Sequence, residues 1–240
     1  MTAPPLRPKE TYAIICPVKI SHFLIAATAA AITSLSLTAP AAAQTAESAD
    51  DWGDTIFLTF DDGPGGSNTD RILEVLDDND AQATFFAIGE NMQNDPLRTR
   101  QVLANGHAMG NHTWSHPDLT ELTRLEVDQE IYSAAALLTA FGAEAPCFRP
   151  PYGATNAEVD EAIADAGLKK QMWNVDTRDW SRPGVDAIVD ELLGATPGDV
   201  VLMHDGGGNR SQTVEALEIA LPKLAEKGYD FGITPKCTPA

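Results

Sequence analysis

Positive charge is scarce in this chain of 240 residues: 16 Lys and Arg stand against 35 Asp and Glu, a formal net charge of −19. No basic stripe runs through it, which excludes a surface built for a phosphate backbone. So acidic a protein is also a poor match for anionic lipids and polyanionic substrates, and its charge reads as solubility rather than as a site for a cationic partner. Cysteine is scarce as well. The three present, Cys16, Cys147 and Cys237, have spacings that match no metal cluster. A bilayer-spanning run is missing too: the apolar stretch Phe23–Leu37 is about fifteen residues long and holds several Ser and Thr, short of the roughly twenty that a span needs.

That stretch follows Arg7, Lys9 and Lys19 and precedes "TAPAAAQ", which offers an A-x-A cleavage site after Ala43. This is the tripartite layout of a secretory signal peptide. Residues 1–43 are therefore expected to be removed on export, to the periplasm or beyond, leaving no stable membrane span. Cys16 lies upstream of the apolar run, so it is not placed to be a lipidated N-terminal cysteine. Residues 44–54, small, polar and acidic, read as a flexible linker, and the folded domain is expected to occupy 55–240. Export permits a disulfide between Cys147 and Cys237, although two cysteines alone do not show that they pair.

Beyond the linker the chain alternates. "TIFLTF" (55–60) reads as a strand, and "SNTDRILEVLDDN" as a helix with a Ser or Asn cap and Ile72, Leu73, Val75 and Leu76 facing inward. "ATFFAIG" (83–89) is a strand, 96–105 a helix opened by Pro96 and stopped by Gly106, "HAMGNH" a short strand, and 120–141 a long helix ending at Gly142. The pattern then repeats. "CFRPPYG", "KKQMWNVD", "DVVLMH" and "YDFGIT" are strands, separated by helices at 156–167, 185–195 and 212–228, the last bent by Pro222. Seven strands and six helices with short connections argue for a parallel sheet covered by helices.

Alternation alone does not separate an open sheet from a closed barrel, but the unusual polar residues do. Asp61–Asp62, His112, Arg149, Asp176–Asp179 and His204 all fall where strands end. In a barrel such positions converge on one mouth, whereas in an open sheet they spread along an edge. The expected architecture is a single-domain α/β protein, an irregular (β/α)7 barrel of the TIM-barrel-like kind.

The chemistry is carried by "LTFDDGPGG" (58–66) and "NHTWSHP" (111–117). His112 and His116 are four apart, so both rings would face one side of a helical segment. No Glu lies between them, so this is not the H-E-x-x-H of zinc proteases. Taken alone the pair is weak evidence. Two imidazoles plus one carboxylate, however, form a three-ligand set that leaves an open position on a zinc-like ion. Asp61 or Asp62 can supply that carboxylate, and the neighbour can then stay ionised as a base, since a metal offsets the repulsion between the two.

Five stretches, "TFDDGP", "HTWSH", "RPPYG", "DTRDW" and "LMHD", resemble the five motifs of the polysaccharide deacetylases, the NodB-homology or carbohydrate esterase family 4 enzymes, in the family's order over residues 59–205. The resemblance implies a divalent metal, most often zinc with cobalt or others accepted, held by Asp62, His112 and His116. It implies Asp61 as general base toward the attacking water, oriented by Arg149, with the backbone N–H of Tyr152 facing the oxyanion. His204 would be the general acid, tuned by Asp179 or Asp176, with Trp180 and Leu202 lining the acetyl pocket. Amide cleavage needs those parts: an activated water, charge stabilisation on the oxyanion, and a proton for the amine. The implied activity is removal of acetyl groups from N-acetylated glycans, chitooligosaccharide or peptidoglycan N-acetylglucosamine, by a monomer that binds no nucleic acid.

Other readings are weaker. A haloacid-dehalogenase-like phosphatase would need an aspartate two positions after Asp61, where Gly63 stands. An O-acetyl xylan esterase would use the same motifs, and a non-catalytic carbohydrate-binding module would have no need of every catalytic position. His107, outside the motifs, and Trp114, between the two histidines, read as structural.

Overall fold

A computed structural model describes residues 52–238; the expected signal peptide and nearly all of the linker lie outside the described residues. The strands are β1 (Thr55–Asp61), β2 (Ala83–Ala87), β3 (Ala108–Asn111), β4 (Cys147–Phe148), β5 (Lys169–Lys170), β6 (Val175–Asp176), β7 (Val200–His204) and β8 (Asp230–Phe231). All pairings are parallel, in the order β5-β4-β3-β2-β1-β7-β6, with β8 added beside β1. The helices are α1 (Ser67–Asp77), α2 (Gly89–Asn94), α3 (Pro96–Ala104), α4 (Arg124–Ala140), α5 (Ala157–Asp165), α6 (Val185–Gly194) and α7 (Ser211–Glu226). The result is an irregular, curled parallel barrel, the architecture expected from the alternation together with the polar residues at strand ends.

β1, which pairs with β2, β7 and β8, is buried from Ile56 to Asp61, as expected of a strand covered on both faces. Ile56, Leu58 and Phe60 pack with Ile72, Leu73 and Leu76 of α1 and with Leu217, Leu221 and Leu224 of α7 in the main apolar cluster. Each such side chain contributes roughly 1.5–3 kcal/mol on burial. A second cluster joins Val127 and Ile131 of α4 to Val159 and Ile163 of α5. Cys147 of β4 and Cys237 are bonded in a disulfide, both fully buried.

Several local expectations are corrected. Residues 169–176 form two short strands at opposite ends of the sheet order rather than one strand. Between them the carbonyls of Gln171 and Met172 accept hydrogen bonds from the buried Arg149 guanidinium, so this backbone serves a side chain instead of a ladder. The long helix starts at Arg124, not residue 120, because Thr123 and Glu126 form a capping box there. α1 is preceded by Gly66, at φ 64° and ψ −132°, with no Ser or Asn side-chain cap. The last helix, α7, holds Pro222 inside it as expected. The short α2 has no apolar periodicity to announce it.

Candidate active site

The carboxyl ends of the strands deliver the expected residues to one mouth. A cavity of about 380 Å³ there is lined by Asp61 and Asp62 (end of β1), His112 and His116 (after β3), and Leu202 and His204 (β7). Tyr152, Trp180 and Asp176 join them at its wall, together with Gly153, the last residue of "RPPYG", and Trp173, which carried no sequence signal. Arg149 and Asp179 do not face the cavity. They lie buried behind Asp61 and His204.

The two adjacent aspartates are separated by backbone geometry. β1 ends on Asp61, and Asp62 turns into the left-handed region at φ 72°. Asp61 Oδ1 accepts from Arg149 Nη1 at 2.8 Å, leaving Oδ2 on the cavity side, 3.8 Å from His112 Nε2. The guanidinium also donates to Thr59 Oγ1 at 2.8 Å and to the Gln171 carbonyl at 3.1 Å, and lies 4.1 Å over the Phe86 ring. A fully buried cation needs such compensation on every side. Thr59 sits two residues before Asp61 on the same strand face, a partner the sequence did not reveal.

His112 and His116 converge without a helix. The segment between them is a loop, with Thr113 at φ 69° and His116 at φ 63°, and the ring centroids come to 4.9 Å. Their Nε2 atoms approach Asp62 Oδ1 at 3.5 and 3.2 Å. His112 Nδ1 bonds the Arg149 carbonyl at 2.7 Å, which fixes the ring with Nε2 toward Asp62. Trp114 packs on Gly89, where a Cβ would meet its ring at 2.4 Å, in keeping with a structural role.

The donor set suits a cation. Asp62 Oδ1 is buried with no hydrogen-bond partner, and it faces two imidazole nitrogens. Burial opposes ionisation of Asp62, but the close approach of the His112 imidazole first, and then the positive character of His112, His204 and His116, outweigh it and hold the pKa at about 2. Burial and the neighbouring His112 lower that of His116, which favours its neutral form. One carboxylate and two imidazoles, within 4.8 Å of one another, fit a divalent ion with an open coordination position.

On the opposite wall, His204 Nδ1 bonds Asp179 Oδ1 at 2.7 Å. Asp179 Oδ2 accepts from the His204 backbone at 2.9 Å and from Thr213 Oγ1 of α7 at 2.7 Å. Burial alone would lower the His204 pKa; the bond to Asp179 and the charges of Asp179, Asp61 and Asp62 raise it on balance. Asp176, the other candidate neighbour, instead accepts from the Arg178 N–H at 2.9 Å. His107 is remote from this mouth: its Nδ1 accepts from Ala83 N at 3.3 Å, and burial pushes its pKa to about 4. It is a neutral, structural histidine.

Asp205, the last residue of "LMHD", is a group that motif reading passes over. Fully buried, it accepts from Thr69 Oγ1 at 2.5 Å, and burial pushes its pKa up to about 7. Its carboxylate and main chain press on the turn after Asp62: a Cβ at Gly63 would meet Asp205 Oδ2 at 2.1 Å, and one at Gly65 the Asp205 carbonyl at 1.8 Å. These contacts explain Gly63 and Gly65 of "DDGPGG".

Carboxylates and imidazoles gathered from separate strand ends over one barrel mouth are the arrangement of a barrel enzyme. Comparison with known proteins makes the class specific. Residues 49–170 match the family model described as polysaccharide deacetylase. The chain is 41% identical over 194 residues to a chitooligosaccharide deacetylase of Rhizobium leguminosarum bv. trifolii, covering 75% of this chain and 90% of the relative. It is 40% identical over 179 residues to a peptidoglycan-N-acetylglucosamine deacetylase of Bacillus cereus, covering 73% and 84%. Among solved structures, a family 4 carbohydrate esterase from Streptomyces lividans in complex with acetate superposes with a TM-score of 0.71 at 35% identity, covering 75% and 92%. A Bacillus anthracis protein described as a family pseudoenzyme superposes equally well, with a TM-score of 0.71 at 30% identity, covering 77% and 65%. This chain belongs to the polysaccharide deacetylase family. Its activity is that of a glycan deacetylase.

Proposed function

We propose that the protein is a metal-dependent hydrolase that removes acetyl groups from N-acetylated glycans, of the chitooligosaccharide or peptidoglycan N-acetylglucosamine kind. The observation that carries this reading is the pairing of Asp61 with Asp62: one held by a buried arginine, the other facing two imidazoles with an unpartnered oxygen. A divalent ion held by Asp62, His112 and His116, zinc or cobalt in this reading, supplies a lowered water pKa and polarisation of the acetyl carbonyl.

The chain's own groups do the rest. Asp61 Oδ2 takes the proton of the attacking water, while Arg149 fixes the carboxylate through Oδ1. The backbone N–H of Tyr152, on the cavity wall, stabilises the oxyanion. His204, with Nδ1 committed to Asp179, delivers a proton from Nε2 to the leaving nitrogen. Leu202 and Trp180 receive the acetyl methyl. Residues 1–43 act as an export signal, 44–54 as a linker and 55–240 as the catalytic domain, so the enzyme meets its glycan as a monomer outside the cytoplasm.

The elevated His204 pKa gives a signed expectation. The acid must carry its proton, so activity falls as pH rises through that raised pKa. Asp179→Asn removes the main raising influence and should move the alkaline limb of the kcat/KM profile to lower pH. An unmoved limb would deny His204 the acid's role.

Acetate release from chitooligosaccharide, peptidoglycan and acetylxylan tests the substrate. Release from the first two should dominate. Preference for xylan would make this an O-acetyl esterase, and inertness of metal-replete protein on all three would favour a glycan-binding module instead.

A further inference from the structure

The loop that carries the two histidines adopts left-handed backbone twice, at Thr113 and His116, which a non-glycine chain keeps only when its surroundings over-determine it. Its amides show what does so. Thr113 N–H donates to Asn111 Oδ1 at 2.9 Å, and His116 N–H to Thr113 Oγ1 at 3.0 Å, both local bonds. The two amides between them leave the loop altogether. Trp114 N–H and Ser115 N–H both donate to Glu130 Oε2, at 2.9 and 2.8 Å, and Ser115 Oγ donates to Glu130 Oε1 at 2.8 Å.

Glu130 lies on the second turn of α4, half-buried, and in none of the five motifs. The next residue of that helix joins the same arrangement, since the Ile131 carbonyl accepts from Asn111 Nδ2 at 2.9 Å. Asn111 in turn holds Thr113. Ile131 itself is anchored in the apolar cluster shared by α4 and α5. One rigid helix therefore grips the loop on both sides of His112, through a carboxylate and a carbonyl.

We propose that Glu130 is a positioning residue of the metal site: through the Trp114 and Ser115 amides it holds His116 Nε2 opposite Asp62 Oδ1. The inference rests on the reading of Asp62, His112 and His116 as metal ligands. A carboxylate suits this task because charge-assisted bonds to backbone N–H groups are the stronger kind. Groups that orient a ligand from behind typically set metal affinity by about 10–100-fold.

Glu126 is a control on the same helix. Its carboxylate caps α4 at Thr123, so Glu126→Ala weakens the helix without touching the loop. Metal-free full-length protein is titrated with cobalt(II), followed by calorimetry and by visible absorption, which reports coordination geometry. Glu130→Ala should raise the cobalt Kd by roughly 10–100-fold and alter the spectrum. Glu130→Gln, which keeps an acceptor oxygen, should raise it several-fold. Glu126→Ala should lower Tm with the wild-type Kd and spectrum. An unchanged Kd in Glu130→Ala overturns the proposal, as does a loss of affinity that follows Tm equally in Glu126→Ala and Glu130→Ala. Should Glu130→Ala not fold, the Kd of Glu130→Gln decides, a wild-type value counting against. Failure of the wild-type protein to bind cobalt would instead refute the metal reading, and the role of Glu130 with it.

Discussion

Asp61→Asn is expected to retain bound metal and lose turnover on the order of 10²–10⁴-fold. The amide oxygen can still accept from Arg149 Nη1, and Thr59 and the Gln171 carbonyl continue to hold the guanidinium. The change therefore removes the basicity of Oδ2 while keeping the frame around it. The loss should appear in kcat, with metal content by elemental analysis equal to wild type. Equal depletion of metal in this variant would contradict the separation of roles between Asp61 and Asp62.

The complementary change, Asp62→Ala, should abolish stoichiometric metal binding and, with it, acetate release. Asp62 supplies the sole carboxylate of the three-ligand set, with its Oδ1 3.2 and 3.5 Å from the two imidazole nitrogens. Chelation of the wild-type protein should reproduce the loss, and added zinc or cobalt should restore activity to the wild type and not to the variant. Retention of metal and activity by Asp62→Ala would place the ion elsewhere.

The barrel was legible because its strands and helices alternate in hydrophobic period, and because polar residues at strand ends are rare enough to stand out. What local pattern could not carry was anything decided by distant backbone. The break in 169–176 answers to Arg149, twenty residues earlier, and cannot be read from "KKQMWNVD". Spacing of His112 and His116 suggested a helical face, yet two left-handed residues bring the rings together. The choice between Asp176 and Asp179 turns on which carboxylate lies under His204, a matter of loop geometry. Glu130, Thr213 and Asp205 stayed hidden for the same reason, being residues whose partners are remote in sequence.

The cystine between Cys147 and Cys237 spans 90 residues and fastens the C-terminal end of the chain to the strand two residues before Arg149. Closing so long a loop restricts the unfolded chain by about 4–5 kcal/mol in the entropic account. The same tether sets a condition on where the enzyme can mature. In a reducing cytosol the bond does not persist, so the strand beside the arginine that holds Asp61 would lack its fastening. With export by residues 1–43, as proposed, the chain would be made in one compartment and reach its full sturdiness in another.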